Sequence, residues 1–176
     1  VDLNCPPIGK MLNFDDIKTA LKAYLDSNPD TPAILGSNYD DTLLAERAHP
    51  TRQLLDQVSS DIPIKITHIS AHMAVVNSKA LIDSKIMDAD GKYLGPFTDD
   101  KGNEIKGVVL DANGSPTGLL QETGAMGLCS VTLPVASSAQ GKAAGLARAN
   151  DVYAAAGVTT ADDGASQLSS TLPLYQ

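Results

Sequence analysis

Apolar positions in the first half of the chain alternate between helical and strand spacing. Asn13 can cap a first helix, which Asn28 and Pro29 bring to an end. The buried stripe of that helix consists of residues three or four positions apart, namely Ile17, Leu21, Tyr24 and Leu25. Residues 33–36 and 62–67 are short apolar runs, and they predict two buried strands.

Two further helices fit between and after these strands. Thr51 can cap a helix that buries Leu54, Leu55 and Val58, and Asn77 can cap one that carries Ala80, Leu81 and Ile86. Residues 13–86 thus alternate helix and strand, which is typical of parallel strands joined by crossover helices. Such folds place their chemistry in the loops after the strands. Those loops contain Tyr39, Asp40, Asp41, His68, Ser70 and His72.

The pattern changes after residue 86. Residues 88–91, 99–103 and 111–114 are turn signals rich in Asp, Asn and Gly, and short β-type runs separate them. They predict a small antiparallel β-hairpin insertion over 87–122. An Ala-rich helix then runs from Ala139 to Ala156, with Ser137 or Ser138 as cap and Gly157 as its end. Residues 158–161 predict a last strand. We therefore divide the chain into segments 1–86, 87–122 and 123–176.

Composition excludes several classes of protein. The chain has 176 residues, 43% of them apolar and 19% charged, as expected for an ordered globular domain. Its net charge of −8 argues against a nucleic-acid partner. Cys5 and Cys129 lack metal-knuckle spacing, so we expect two buried thiols. We expect no membrane association, because no apolar run approaches 20 residues, and a cytoplasmic location is favoured over secretion because residues 1–7 lack the basic and apolar regions of a signal peptide.

Four motifs in a fixed order carry a family resemblance. Residues 50–63 contain Pro-Thr-Arg, then Leu-Asp, then Ser-x-Asp-x-Pro, and residues 72–81 contain a His followed by Val-Asn-Ser-x-Ala-Leu. Residues 111–118 read Asp-x-x-Gly-x-Pro-Thr-Gly, and residues 157–160 read Gly-Val-Thr-Thr. In this order and spacing the motifs resemble the YtcJ-like branch of the amidohydrolase superfamily, which consists of metal-dependent hydrolases built on a (β/α)8 barrel.

The resemblance implies both a fold and an activity. The chain would be an α/β segment of a TIM-type (β/α)8 barrel with the β-hairpins inserted in it. The parent enzyme would hydrolyse an amide or N-acyl C–N bond of a small molecule, using water activated by a divalent metal, with zinc the expected ion. Glu122 matches a carboxylate that recurs in relatives and would be a metal ligand. The simpler interpretation is an exposed Glu at a helix start, which the helix dipole favours.

The same resemblance suggests other site residues. His72 would follow a strand and contact substrate at the barrel mouth, although a half-buried His bonded to backbone is the alternative. Asp163 would act in catalysis at the end of the last strand, beside Asp162, although a solvated strand end is the alternative for both. Tyr39 and Asp40, together with their neighbour Asp41, would bind substrate. His68 lies four residues before His72, a spacing that binds metal only on a helix face, so a predicted strand argues against this pair.

The chain lacks the family's main metal motifs. Such enzymes use a His-x-His, two later His residues and a late Asp, whereas this sequence has no His-x-His and no His after His72. We expect the missing ligands upstream of Val1 and downstream of Gln176, so that this piece alone binds no metal and is inactive. Open sheet edges would favour pairing with a second copy.

Two other functions stay open. One is a non-enzymatic α/β binding or regulatory module that keeps the scaffold without the metal ligands. The other is an unrelated small α/β enzyme in which His72 works with Asp40 or Asp163 as acid–base partners.

Overall fold

A five-stranded mixed sheet is the centre of the first of two units, Val1–Thr132 and Leu133–Gln176. The structure is a computed structural model and describes residues 1–132 and 139–162. The elements of the first unit are α1 (Phe14–Ser27), β1 (Ile34–Tyr39), α2 (Arg52–Asp56), β2 (Ile64–His68), β3 (Met73–Val76), α3 (Ser78–Asp83), β4 (Phe97–Thr98), β5 (Glu104–Ile105), β6 (Val108–Leu110), β7 (Pro116–Gln121) and α4 (Glu122–Leu128). The second unit contains α5 (Ala139–Ala155). The predicted α/β class is confirmed.

Side-chain caps start the first three helices where the sequence predicts them. Asn13, Thr51 and Asn77 each accept a hydrogen bond from a backbone N–H three residues further on. Such a cap satisfies one of the N–H groups that a helix start leaves without an intrahelical partner. α3 ends at Asp83, so Ile86 lies beyond the helix, although it is completely buried as predicted.

The strand order is β1-β2-β3-β7-β6, and the sequence did not predict β3. β1 and β2 are parallel, as expected, whereas β3 runs antiparallel to β2. His72 follows β2, as predicted, but it lies in the turn between β2 and β3, immediately before the unpredicted strand β3. A tight turn reverses the chain here: Ala71 adopts a left-handed φ of 60°, and its N–H donates to the His68 carbonyl. The run Ala74, Val75 and Val76 is then buried between neighbouring strands.

The three predicted turns of the β-hairpin region are all present. In each, an Asp Oδ1 accepts the backbone N–H groups two and four residues further on; the residues are Asp88, Asp99 and Asp111. β4 and β5 form a two-stranded sheet of their own, whereas β7 pairs with β3 and brings β6 into the main sheet. The boundaries at 86/87 and 122/123 stay a prediction.

The core of this unit lies between the main sheet and α1. It includes completely buried residues from α1, β1 and β2, namely Ile17, Leu21, Ile34, Ile64 and Ile66. Cys5 and Cys129 are free and buried, which confirms the prediction of two buried thiols.

The second unit was predicted correctly in its helix and wrongly in its strand. α5 matches the predicted helix, and Gly157 ends it with a φ of 79°. The prediction of a strand over 158–161 is wrong, because these residues are irregular. The N–H of Val158 donates back to the Tyr153 carbonyl and completes the helix end, so it does not begin a ladder. The candidate caps Ser137 and Ser138, and the candidate catalytic Asp163, lie outside the described residues.

Among the described residues, no helix has both the length and the apolar character needed to cross a membrane.

Gly118, in β7, is expected to tolerate no side chain. Its φ is 100°, and a Cβ there would lie 2.5 Å from the Val76 carbonyl oxygen and 2.9 Å from the Arg52 backbone nitrogen. We expect Gly118→Ala to lower the free energy of unfolding by roughly 3 kcal/mol or more, since both strain and a backbone clash oppose it. Gly114 is the matched control: it has a φ of 78° with nothing within 4 Å of the added carbon, so Gly114→Ala should cost about 1 kcal/mol. Urea unfolding measures both, and equal losses would contradict the packing argument.

Candidate functional site at one edge of the sheet

The strand directions bring polar side chains together at one edge of the main sheet. β1 and β2 are parallel and end at Tyr39 and His68, while β3 is antiparallel and begins after His72. β7 is antiparallel to β3, so it ends at the same edge, immediately before Glu122. We call this end of the sheet the polar edge; its residues are Tyr39, Asp40, Asp41, His68, His72 and Glu122.

His72 and Glu122 form a direct pair although they are 50 positions apart along the chain. His72 Nδ1 lies 3.1 Å from Glu122 Oε2, and since a carboxylate only accepts, Nδ1 is the donor. The Glu122 backbone N–H donates to the His72 carbonyl at 2.7 Å. Both side chains are well exposed, at 65% and 73%. His72 is thus not the half-buried, backbone-bonded residue of the simpler interpretation. Glu122 is the first residue of α4, so that its simpler interpretation also matches its position.

A cavity of about 390 Å³ opens beside this pair. It is lined by His72, Met73, Lys106, Gly107, Gln121 and Glu122. The cavity therefore offers an imidazole, an ammonium group and a carboxylate to a small polar molecule. Lys106 lies between β5 and β6 and was not predicted as a site residue.

Unusual backbone conformations concentrate at the polar edge. Five non-glycine residues in the described part of the chain have positive φ, and three of them lie here: Asn38 at 72°, Ala71 at 60° and Glu122 at 65°. Such conformations cost of order 1 kcal/mol or more each for residues with a Cβ, and they cluster at functional sites. No turn residue such as Gly or Asn indicated a positive φ at Ala71 or Glu122.

A second group of titratable side chains lies at the ends of β1 and β2. We call it the Asp–His cluster, and its residues are Asp40, Asp41, His49 and His68. His68 Nε2 lies 2.9 Å from Asp41 Oδ1, and His49 Nδ1 lies 3.8 Å from the same oxygen. Ligand atoms of Asp40, Asp41 and His68 all lie within 4.8 Å of one another.

Burial and hydrogen bonds fix the charge state of several members. The Thr42 hydroxyl donates to Asp40 Oδ1 at 2.6 Å and lowers the pKa of that carboxyl group, which therefore stays ionised. Burial lowers the pKa of His49, so its neutral form is favoured. Tyr39 is completely buried, and its hydroxyl group is bonded to His49 Nδ1 at 3.1 Å. Burial also raises the pKa of Tyr39. Tyr39 thus anchors the His49 ring from the hydrophobic core.

Ser70 connects the two groups. Its hydroxyl lies 2.8 Å from His68 Nδ1 and accepts the backbone N–H of His72 at 3.2 Å. The turn between β2 and β3 therefore fixes His68 and His72 relative to each other. In the part of the chain that the structure describes, the His72 ring bonds to Glu122 and not to Asp40 or Asp41.

The comparisons with known proteins identify the family. The profile of the amidohydrolase family matches residues 5–176, nearly the whole chain. This chain belongs to the amidohydrolase family. The YtcJ-like branch within that family stays a prediction of the sequence.

The chain also resembles individual proteins, at 29% sequence identity or less. The chain is 29% identical over 126 residues to the N-substituted formamide deformylase of Arthrobacter pascens, a match that covers 71% of this chain and 21% of that enzyme. It is similar to the crystal structures of uncharacterized metal-dependent hydrolases from Pyrococcus horikoshii OT3 and Pyrococcus furiosus, at 20% and 19% identity, with TM-scores of 0.47 and 0.35. These matches cover 91% and 67% of this chain and 26% and 23% of theirs. The amidohydrolase chain thus spans about a fifth of its curated relative.

The described residues of this amidohydrolase chain include two sets of metal-type donors. Glu122 offers an exposed carboxylate next to an imidazole, and its role as a metal ligand stays a prediction. The Asp–His cluster offers two carboxylates and the buried His68 nitrogen, which makes no hydrogen bond. The sequence analysis placed Asp40, Asp41 and His68 in the loops after the strands but did not combine them into a metal site. It assigned Asp40 to substrate binding and tested His68 only as a metal partner of His72. Asp162 is exposed and lies outside any strand, and Asp163 is outside the described residues.

Proposed function

We propose that the protein containing this chain is a metal-dependent hydrolase that cleaves a C–N bond in N-substituted formamides or related N-acyl compounds. Membership of the amidohydrolase family supports the reaction class, and the deformylase relative supports the substrate class. The observation that carries the proposal is the exposed His72–Glu122 pair beside a cavity of about 390 Å³.

We also propose that the parallel β1–β2 pair of the main sheet is part of a (β/α)8 barrel wall. The position of α2 in the crossover between its strands supports this, and the polar edge would face the barrel mouth. The remaining metal ligands would come from other parts of the protein, and the chain by itself would be inactive. The substrate is a small molecule.

The roles of the two residues follow from their hydrogen bond. A bound divalent metal would acidify the attacking water, and the Glu122 carboxylate would be one of its ligands. Because His72 Nδ1 donates to Glu122, the Nε2 atom of the neutral ring can accept a proton from the attacking water. The same proton is then given to the leaving nitrogen as the C–N bond breaks. The products are a carboxylic acid and an amine.

Metal removal tests this proposal. We expect a longer protein carrying this chain to release formate from N-alkyl and N-aryl formamides, to lose that activity on treatment with a chelator, and to regain it with added Zn²⁺. Alkyl formates, which carry a C–O bond in place of C–N, are the matched substrate controls. Hydrolysis of the esters without the formamides would contradict C–N specificity. No hydrolysis of either with any divalent metal would favour the non-enzymatic module.

A further inference from the structure

We propose that Asp40, Asp41 and His68 form a second metal site, separate from Glu122, that binds one divalent transition-metal ion such as Zn²⁺. This inference does not rest on the proposed hydrolase activity. It starts from the spacing of the three side chains, whose ligand atoms all lie within 4.8 Å of one another. Metal–ligand bonds of about 2.1 Å place neighbouring ligand atoms roughly 3 to 3.5 Å apart, and the pair His68 Nε2–Asp41 Oδ1, at 2.9 Å, is close to that separation.

The buried His68 nitrogen is the second, independent observation. The His68 side chain is only 9% exposed, and its Nε2 atom is the one buried side-chain nitrogen or oxygen in the described residues that makes no hydrogen bond. Asp41 Oδ1 is near enough to Nε2, but its direction is wrong for a hydrogen bond, so proximity alone does not satisfy the nitrogen. A buried polar atom without a partner costs about 1–3 kcal/mol. A cation between the imidazole and the carboxylates would remove this cost.

The surroundings hold each ligand in place. Thr42 donates both its backbone N–H and its hydroxyl to Asp40 Oδ1, which orients that carboxylate. The His68 ring packs edge-on against Tyr39, with ring centres 5.1 Å apart. Its Nδ1 atom contacts the Ser70 hydroxyl at 2.8 Å and the Ser70 backbone N–H at 3.1 Å. In a metal-bound state the Nδ1–H group would donate to the Ser70 hydroxyl, which is the kind of outer-shell hydrogen bond that orients histidine ligands.

The tautomer of His68 changes when a metal binds. The Ser70 backbone N–H requires a lone pair on Nδ1, so the metal-free ring carries its proton on Nε2. Metal binding needs the Nε2 lone pair, so the proton moves to Nδ1, where the Ser70 hydroxyl accepts it, and the Ser70 backbone N–H loses its hydrogen bond to the ring. The net charge of the ring does not change. The two states differ in which ring nitrogen carries the proton, so the NMR signals of the ring nitrogens distinguish them.

The donor set selects the class of metal. Two carboxylates and one imidazole suit Zn²⁺, Mn²⁺ and related transition ions, whereas Ca²⁺ and Mg²⁺ prefer oxygen ligands throughout. Two carboxylates also balance the charge of a divalent ion. His49 Nδ1 lies 3.8 Å from Asp41 Oδ1 and is bonded to the Tyr39 hydroxyl, so it supports Asp41 and is not counted as a ligand.

Calorimetric titration of the metal-free chain with Zn²⁺ tests the site. We expect one bound ion per chain, and binding at least about 100-fold weaker in His68→Gln and in Asp41→Asn. Asp111→Asn is the control, since Asp111 is a turn carboxylate that accepts backbone N–H groups, as Asp40 does, but it lies outside the cluster. It should bind Zn²⁺ within about threefold of the unmodified chain.

Nitrogen NMR of the unmodified chain keeps the test independent of folding in the variants. The chain has three His residues, His49, His68 and His72, so their ring signals can be assigned individually. We expect Zn²⁺ to shift the Nε2 signal of His68 and to move its proton to Nδ1, with His72 little affected. The proposal is overturned by an absence of stoichiometric binding, by binding that His68→Gln leaves unchanged, or by a Zn²⁺-induced shift at His72 alone.

Discussion

Replacing Glu122 with Gln in the longer hydrolase is expected to lower kcat for formamide hydrolysis by at least about 100-fold. The change keeps the size of the side chain and removes its charge. It would weaken a metal ligand and would also replace the carboxylate that accepts from His72 Nδ1 by an amide. Removing a single stabilising group of an active site costs about 100- to 1000-fold in kcat, and loss of a metal ligand should cost at least as much.

Glu104→Gln provides the control for this experiment. Glu104 is also an exposed glutamate of the first unit, in β5, and Glu122 lies at the end of β7. The Glu104 variant should keep kcat within about twofold. A rise in KM without a fall in kcat in Glu122→Gln would assign Glu122 to substrate binding and would contradict its role as a metal ligand. Equal losses in the two variants would contradict any specific role.

Asn77→Ala is expected to have the largest effect on stability. The Asn77 side chain is completely buried and makes four hydrogen bonds. Its Oδ1 accepts from the Ile64 N–H at 2.9 Å and the Ala80 N–H at 3.0 Å, and its Nδ2 donates to the carbonyls of Ser59 and Ile62, both at 2.9 Å. The variant leaves two buried N–H groups and two partly buried carbonyls without their side-chain partner. At about 1–3 kcal/mol each, we expect a loss of at least 4 kcal/mol in the free energy of unfolding.

Asn13→Ala separates this network from ordinary helix capping. Asn13 caps α1 through one hydrogen bond to the Asp16 N–H, so its loss should cost only about 1 kcal/mol. Asn77→Asp adds a second comparison, since it keeps the acceptor and removes the donors. Urea unfolding followed by circular dichroism gives all three values. If Asn77→Ala cost no more than Asn13→Ala, the buried network would contribute nothing beyond the cap.

Local signals in the sequence predicted the helices and turns. Asn13, Thr51 and Asn77 begin helices because a short polar side chain can bond a nearby N–H, and Asp99 and Asp111 begin turns for the same reason. β3 was missed because the turn before it carries no Gly, Pro or Asn. Ala71 takes the left-handed conformation there, and only the packing of the neighbouring strands favours it.

The site was predicted in part, and the missing part is non-local. The family resemblance indicated His72 and Glu122, but their contact depends on β3 and β7 being neighbours in the sheet, which the sequence pattern did not show. The Asp–His cluster was missed because His68 was judged only against His72. Its real neighbours are Asp41 and the ring of His49, which the fold of β1 and β2 brings to it.

The strand order of the main sheet also determines the order in which its strands can pair during folding. β1, β2 and β3 come from residues 34–76 and can assemble early, whereas β7, from residues 116–121, reaches β3 only after a long loop has closed. Until then the outer edge of β3 exposes unpaired N–H and C=O groups next to apolar side chains. A chain arrested at that stage would pair with another copy in place of its own β7. Dilution during refolding therefore favours the native sheet, because docking of β7 is unimolecular and the competing association is not.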